Sequence, residues 1–266
     1  MARWNIARAL EAMDLLRARR PDYAVALRAK LALGDDELAD WRDAIARIVT
    51  GLDPATGLYE QFAGFHALEP LDLAAYADRT VPIDVVIGRE RTQRSQVVKQ
   101  ADVVALLALL PEEFPGAMAE TNFRYYEQRC AHGSSLSTGM HALVAARLGH
   151  AEMAMSYLRE AAATDLDLDP NSAGGVRIAS LGGVWQTVTL GFAGLDLMGD
   201  RLGIDPKLPP EWRSLSFRVC WRGRSIAIRV AGETVQVTLA EGEEVEMRIA
   251  ATKHKLTSRA TLQVSI

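Results

Sequence analysis

The residues of this chain with the most chemical reach fall in three short strings. In the first, His132, Ser134 and Ser135 surround Gly133 and precede apolar residues at helical spacing, Leu136, Met140, Leu143, Val144, Ala146 and Leu148, a run that Gly149 ends. Hydroxyls at a helix start admit two readings. One is an ordinary serine cap. The other is a seat for phosphate or another oxyanion, because a helix start presents unpaired N–H groups and the positive end of the dipole. In the second string, Lys99, Gln100 and Asp102 form the polar head of a helix expected over 94–110, whose remainder, Val103 to Leu110, is apolar on every side. Facing a cavity, Lys99 and Gln100 could hold sugar hydroxyls, with Asp102 one turn away to balance the lysine; facing water, they are an exposed turn with an Asp–Lys pair. In the third string, Gly174-Gly175 and Gly182-Gly183 bracket Arg177 and Ser180. No strand precedes them in a βα pattern, so the glycines read as places where backbone approaches a ligand or a neighbouring helix.

Metal chemistry is not expected from spacing. Cys130 and Cys220 stand far apart, and neither His141 nor His150 has a partner at metal-ligand spacing, so both histidines read as structural. His66, alone in a loop, reads as a packing or solvated residue. No cofactor is expected. The chain has 266 residues, 49% hydrophobic and 24% charged, which is ordinary for a globular protein. A net charge of −4 provides no basic field for nucleic acid. Arg3, Arg8, Glu11 and Asp14 interrupt any leader-like apolar core, and no run reaches the roughly 18–20 apolar residues that span a bilayer. A cytoplasmic protein without nucleic-acid or membrane partners is expected, and two unpaired cysteines fit a reducing compartment.

The elements that must position these strings follow from periodicity. Trp4, Ala7, Leu10, Met13 and Leu16 make one stripe of a helix over 3–19 that Pro21 ends, with further helices after Pro21 and from about Asp36 to Thr50. Residues 51–88 lack a period and are rich in turn formers, so they read as a long connection of the kind that lines or covers a site. Helices are expected over 112–129, 134–148, 152–163 and 181–195, with an acidic loop at Asp165–Asp169 and Pro170 between the last two. Helical hairpins in succession suggest a bundle or an α/α toroid. From about Leu202 the period becomes two, and alternation at 215–221, 226–230, 235–239, 245–249 and 262–266 predicts an antiparallel meander beyond a Pro206–Pro210 hinge.

Taken in order, Lys99-Gln100-Ala101-Asp102-Val103, then Tyr125-Tyr126-Glu127 with His132-Gly133-Ser134-Ser135-Leu136-Ser137, then the string from Gly174 to Gln186 resemble segments of glycoside hydrolase family 65, the maltose, trehalose and kojibiose phosphorylases. Tyr59 to Phe65 resembles a further segment, and the likeness runs from Met1-Ala2-Arg3-Trp4-Asn5 to the strand-rich tail. The resemblance implies a mainly α protein with a β tail: a partial (α/α)6 toroid over residues 1–201 and a small antiparallel β-sheet or sandwich domain over 202–266. It implies an inverting reaction on α-glucosides, in which a carboxylic acid protonates the glycosidic oxygen while phosphate, or water in hydrolytic members, attacks the opposite face of the sugar. By the same likeness, Lys99 and Gln100 bind the glucosyl unit, Glu127 lines the sugar site, and His132, Ser134, Ser135 and Arg177 fall in the phosphate region. Arg177 stands where many phosphorylases carry histidine; a guanidinium can clamp phosphate in bidentate fashion. The expected ligands are an α-linked disaccharide or glucose 1-phosphate, with inorganic phosphate as co-substrate. The family's general acid lies in a Gly-Pro-Asp-Glu type string upstream of the Met-Ala-Arg-Trp segment, so no residue here is assigned that role. The chain is expected to be a C-terminal portion, inactive alone, that self-associates or joins a polypeptide supplying the rest of the barrel. The alternative is a non-catalytic sugar- or phosphate-binding or assembly module.

Overall fold

The computed structural model describes residues 1–166, 175–198 and 201–266, in two compact units, Met1–Leu52 and Asp53–Ile266. Most of the expected acidic loop, with Pro170 and Gly174, lies outside the described residues. The first unit is α1 (Ala2–Arg19), α2 (Pro21–Leu31) and α3 (Asp35–Arg47), with α1 packed on both others. Pro21 sits at the first turn of α2, where its missing N–H costs nothing. The predicted stripe of α1 is half-buried along its whole length, and Leu38 is the buried anchor of α3.

In the second unit, short helices α4 (Ile83–Val86) and α5 (Arg89–Gln93) follow a connection with two 3-10 turns, Phe65–Ala67 and Leu73–Tyr76. Then come α6 (Asp102–Leu109), α7 (Gly116–Glu127), α8 (Ser137–Leu148), α9 (Ala151–Ala163) and α10 (Ile178–Gln186), the last continuing into a π-helical turn, Thr187–Phe192. α8 is the central element, packed against α6, α7, α9, α10 and the π-helical turn. Its small residues permit this. A side chain at Gly139 would come within 3.3 Å of the Gly183 Cα, so the two backbones touch where α8 meets α10.

Three expectations about local structure are corrected. The helix predicted over 94–110 begins only at Asp102; Val98 is extended and bridges Cys130 in parallel, with its N–H donating to Arg129 and its carbonyl accepting from Ala131, so both groups are unavailable to a helix. Asp102 does not balance Lys99; its carboxylate accepts from the Gln61 amide at 2.8 Å and the Gln100 amide at 3.4 Å. Neither Ser134 nor Ser135 is the N-cap of α8. Ser134 directs its carbonyl to the N–H and hydroxyl of Ser137 in a tight turn, and Leu136 occupies the cap position without a side-chain bond. In addition, Ile178, Leu181 and Trp185 on α10 are exposed.

The tail forms two four-stranded sheets. One is β3 (Leu215–Trp221), β4 (Arg224–Ala231), β5 (Thr234–Glu241) and β8 (Thr261–Ser265), antiparallel throughout. The other is β1 (Leu195–Asp196), β2 (Leu202–Ile204), β6 (Val245–Ile249) and β7 (Thr252–Leu256), with β2 and β6 parallel. The predicted alternation places Ile226, Ile228, Val230, Val235, Val237 and Leu239 in one apolar core with Leu202, Ile204, Val245, Met247 and Ile249 of the other sheet. The tail thus folds as a small sandwich. Gly194, at φ +59, passes so close to Asp205 that a Cβ would lie 1.9 Å from the Asp205 carbonyl oxygen. The sequence reading missed β7, because Lys253, His254 and Lys255 hide its period and Leu256 alone is buried.

Candidate active site

Residues 97–100 and 129–133 run side by side. The bonds around Val98 are continued by Gly133, whose N–H donates to the Lys99 carbonyl at 2.8 Å. This pairing lays the aliphatic stem of Lys99 against Gly133; a Cβ there would stand 3.1 Å from the Lys99 Cγ. The first and third strings meet through the Ser180 hydroxyl, which donates to the Ser135 carbonyl at 3.0 Å, and through the Gly139–Gly183 contact. The first string therefore adjoins both of the others.

A cavity of about 1140 Å³ opens here, walled by Lys99, His132 and Gly133 together with Gln61, Phe62, Phe65, Arg79 and the segment following it. The long connection thus supplies much of the wall. The cations on the wall are Lys99, Arg79 and Arg89, against Asp84 and Glu160. Arg79 was not anticipated. Its guanidinium donates to the carbonyls of Tyr76 at 3.1 Å and Ala131 at 2.9 Å, which fixes it in place without neutralising its charge. A single arginine in an aperiodic loop carries no spacing signal, and only the fold brings it beside Ala131.

The other predicted residues stand around this wall rather than on it. Gln100 is exposed and turned to Asp102. Ser134 accepts from the Leu136 N–H at 3.4 Å, and Ser135 meets Ser180. Arg177 precedes α10 and is engaged by Asp165, with its N–H and guanidinium donating to that carboxylate at 2.8 and 3.1 Å and to the Thr164 carbonyl at 3.0 Å. Glu127, at the end of α7, accepts from the Tyr157 hydroxyl at 2.9 Å. Tyr157 in turn lies against His132, ring centres 5.1 Å apart, and against His141 at 5.3 Å.

Burial governs the charge of the interior groups. It pushes His132 down to about 3, helped by His141 and Arg79, and His141 down to about 4, partly opposed by its bond to Ser137. Both imidazoles are neutral near pH 7. Burial also pushes the Cys130 thiol up to about 11 and raises the Tyr157 hydroxyl. His132 can therefore exchange hydrogen bonds with a ligand, but the positive charge on the wall comes from Lys99 and the arginines. His150 is structural, as read: it stacks on Phe123 and bonds Glu120 at 2.8 Å. His66 packs edge-on against Tyr125 and Phe65.

Known proteins resemble this chain in sequence and fold. The family model described as "Glycosyl hydrolase family 65 central catalytic domain" matches residues 1–186, and that of the family's C-terminal domain matches residues 195–256. A kojibiose phosphorylase of Caldanaerobacter subterraneus subsp. tengcongensis is 34% identical over 248 residues, 91% of this chain and 32% of that protein. An alpha,alpha-trehalose phosphorylase of Geobacillus stearothermophilus is 31% identical over 266 residues, 100% of this chain and 35% of that protein. Among solved structures, a putative kojibiose phosphorylase from the human microbiome superposes with a TM-score of 0.85 at 25% identity, covering 97% of this chain and 36% of that one. The chain spans about a third of the length of the curated relatives it matches. With a family model covering well over half of its residues and the helices, sandwich and adjoining strings laid out as above, the chain belongs to glycosyl hydrolase family 65.

Proposed function

We propose that residues 1–266 carry the phosphate- and glucosyl-binding part of an inverting α-glucoside phosphorylase, with inorganic phosphate as co-substrate. The observation that carries this reading is the cavity wall on which Lys99 and Arg79 flank the neutral His132. Two cations held near a hydrogen-bonding imidazole suit a phosphate dianion, and the amides of Gln61 and Gln100, gathered on Asp102, suit sugar hydroxyls. Ser134, Ser135 and Arg177 stand one layer back, where they hold the loop between the cavity and α10; Glu127 acts through Tyr157. The relatives' names support α-linked disaccharides such as kojibiose and trehalose as the substrate class.

Inversion of such a substrate needs a proton donor for the leaving oxygen, and we assign that role to no residue between 1 and 266. Glu127 is occupied by Tyr157. The isolated chain is therefore expected to bind phosphate and glucose 1-phosphate without turning over kojibiose, trehalose or maltose. Release of glucose 1-phosphate from any of the three by the purified chain would overturn the assignment of the acid elsewhere. Absence of phosphate binding would overturn the site itself. A second reading, an assembly module, is favoured by α10, where Ile178 is 76% and Trp185 52% exposed. Sedimentation as a monomer across the micromolar range would remove it.

A further inference from the structure

Cys130, His132 and His141 belong to the segment after α7, the loop that follows it and the second turn of α8, and they meet in the interior beside the cavity wall. Their donor atoms all lie within 4.8 Å of one another, with Cys130 Sγ 3.8 Å from His132 Nδ1. His141 is fully buried. Its Nδ1 is 2.8 Å from the Ser137 carbonyl oxygen, which can only accept, so Nδ1 carries the hydrogen and Nε2 presents a lone pair. That lone pair is buried and has no hydrogen-bond partner among the described residues. An orphaned acceptor next to a thiol and a second imidazole calls for a Lewis acid.

We propose that Cys130, His132 and His141 form a binding site for a transition-metal ion of the zinc class. One thiolate and two imidazoles are the ligand set such ions prefer over magnesium or calcium. With Zn–S near 2.3 Å and Zn–N near 2.0–2.1 Å, donors in a tetrahedral site stand about 3.3–3.7 Å apart, so the present separations need a contraction of at most about 1.5 Å. The Ser137 carbonyl fixes the His141 tautomer and ring plane, the outer-partner role typical of metal-bound histidine. His132 is held at φ 51 between its neighbours, and the Tyr157 ring covers both imidazoles. Binding converts the Cys130 thiol to thiolate and releases one proton to solvent per ion. His132 is shared with the phosphate reading, but Lys99 and Arg79 are not ligands, so loss of metal binding and loss of phosphate binding are told apart by the Cys130 and Lys99 variants.

The test is a titration of the full chain carrying Cys220→Ser, reduced and freed of metal by chelation, with Co²⁺ and then Zn²⁺. Expected are one ion per chain, a near-ultraviolet thiolate-to-cobalt charge-transfer band, visible bands of tetrahedral cobalt, and displacement by zinc. Cys130→Ser should abolish the charge-transfer band, and His141→Gln, which removes a direct ligand, should weaken binding by more than the roughly 10–100-fold typical of losing an outer partner. Should either variant fail to fold, X-ray absorption on the zinc-loaded chain with both residues intact decides the matter, with one sulfur and two or more nitrogen neighbours expected. No charge-transfer band with Cys130 intact, a band that survives Cys130→Ser, or a zinc shell without sulfur overturns the site and leaves a bridging water as the partner of His141.

Discussion

In the sandwich, the buried side chains are leucine, isoleucine, valine and methionine, whereas around α8 the interior also holds Asn122, Ser137, Thr138, His141 and Thr187. The sandwich core asks only for shape and apolar area. The helical interior instead depends on individual hydrogen bonds, because a buried polar atom left unpaired loses its hydration without compensation. Asn122 illustrates this: its Oδ1 accepts from the Tyr59 N–H at 2.8 Å, and its amide donates to the carbonyls of Gly57 at 2.8 Å and Met118 at 2.9 Å. Through one side chain, α7 holds the connection that lines the cavity. The contrast teaches that one half of this unit is built for stability and the other spends some of it on placing polar groups.

Truncation separates the two halves most sharply. Ile228→Ala, at a position 2% exposed, should cost about 2–5 kcal/mol in urea unfolding while leaving phosphate affinity of the folded chain unchanged. Asn122→Ala should cost about 2–3 kcal/mol by stranding the backbone groups it serves, and it should also weaken phosphate binding, since the cavity wall loses its tether. If binding survives Asn122→Ala as well as it survives Ile228→Ala, the division of labour is wrong.

A separate effect should come from acid. His132 and His141 are held neutral in the folded chain, at about 3 and about 4 against an ordinary 6.5, so the unfolded chain takes up protons first as pH falls. Their contribution is complete above pH 6.5 and is lost as pH drops toward 4. Urea midpoints measured with chelator present should fall over that window, and His141→Gln should flatten the slope; an unchanged slope would show that burial does not set the protonation of this pair.

Much of the fold was legible because periodicity reports burial. The stripe from Trp4 to Leu16, the hairpin turn at Gly149-His150 and the alternation from Leu215 to Ile249 all appear as expected. The helix assigned to 94–101 failed because local pattern cannot reveal that Val98 bonds a segment some thirty residues away. The site was legible only as far as its strings. Lys99 and His132 reach the cavity wall, but Arg79 and Tyr157 had no spacing to mark them, and the meeting of Cys130 with His141 depends on how α8 returns beneath the loop before it.

On the proposed reading, the wall bearing Lys99 binds an oxyanion. Calorimetric titration of inorganic phosphate and glucose 1-phosphate into the wild-type chain, Lys99→Ala and Lys255→Ala tests it, the last being a lysine of β7 paired with Glu244 at 2.8 Å. Binding should be about 10–100-fold weaker in Lys99→Ala and as in the wild type in Lys255→Ala. Equal affinities in all three proteins, or no measurable binding in the wild type, would contradict it.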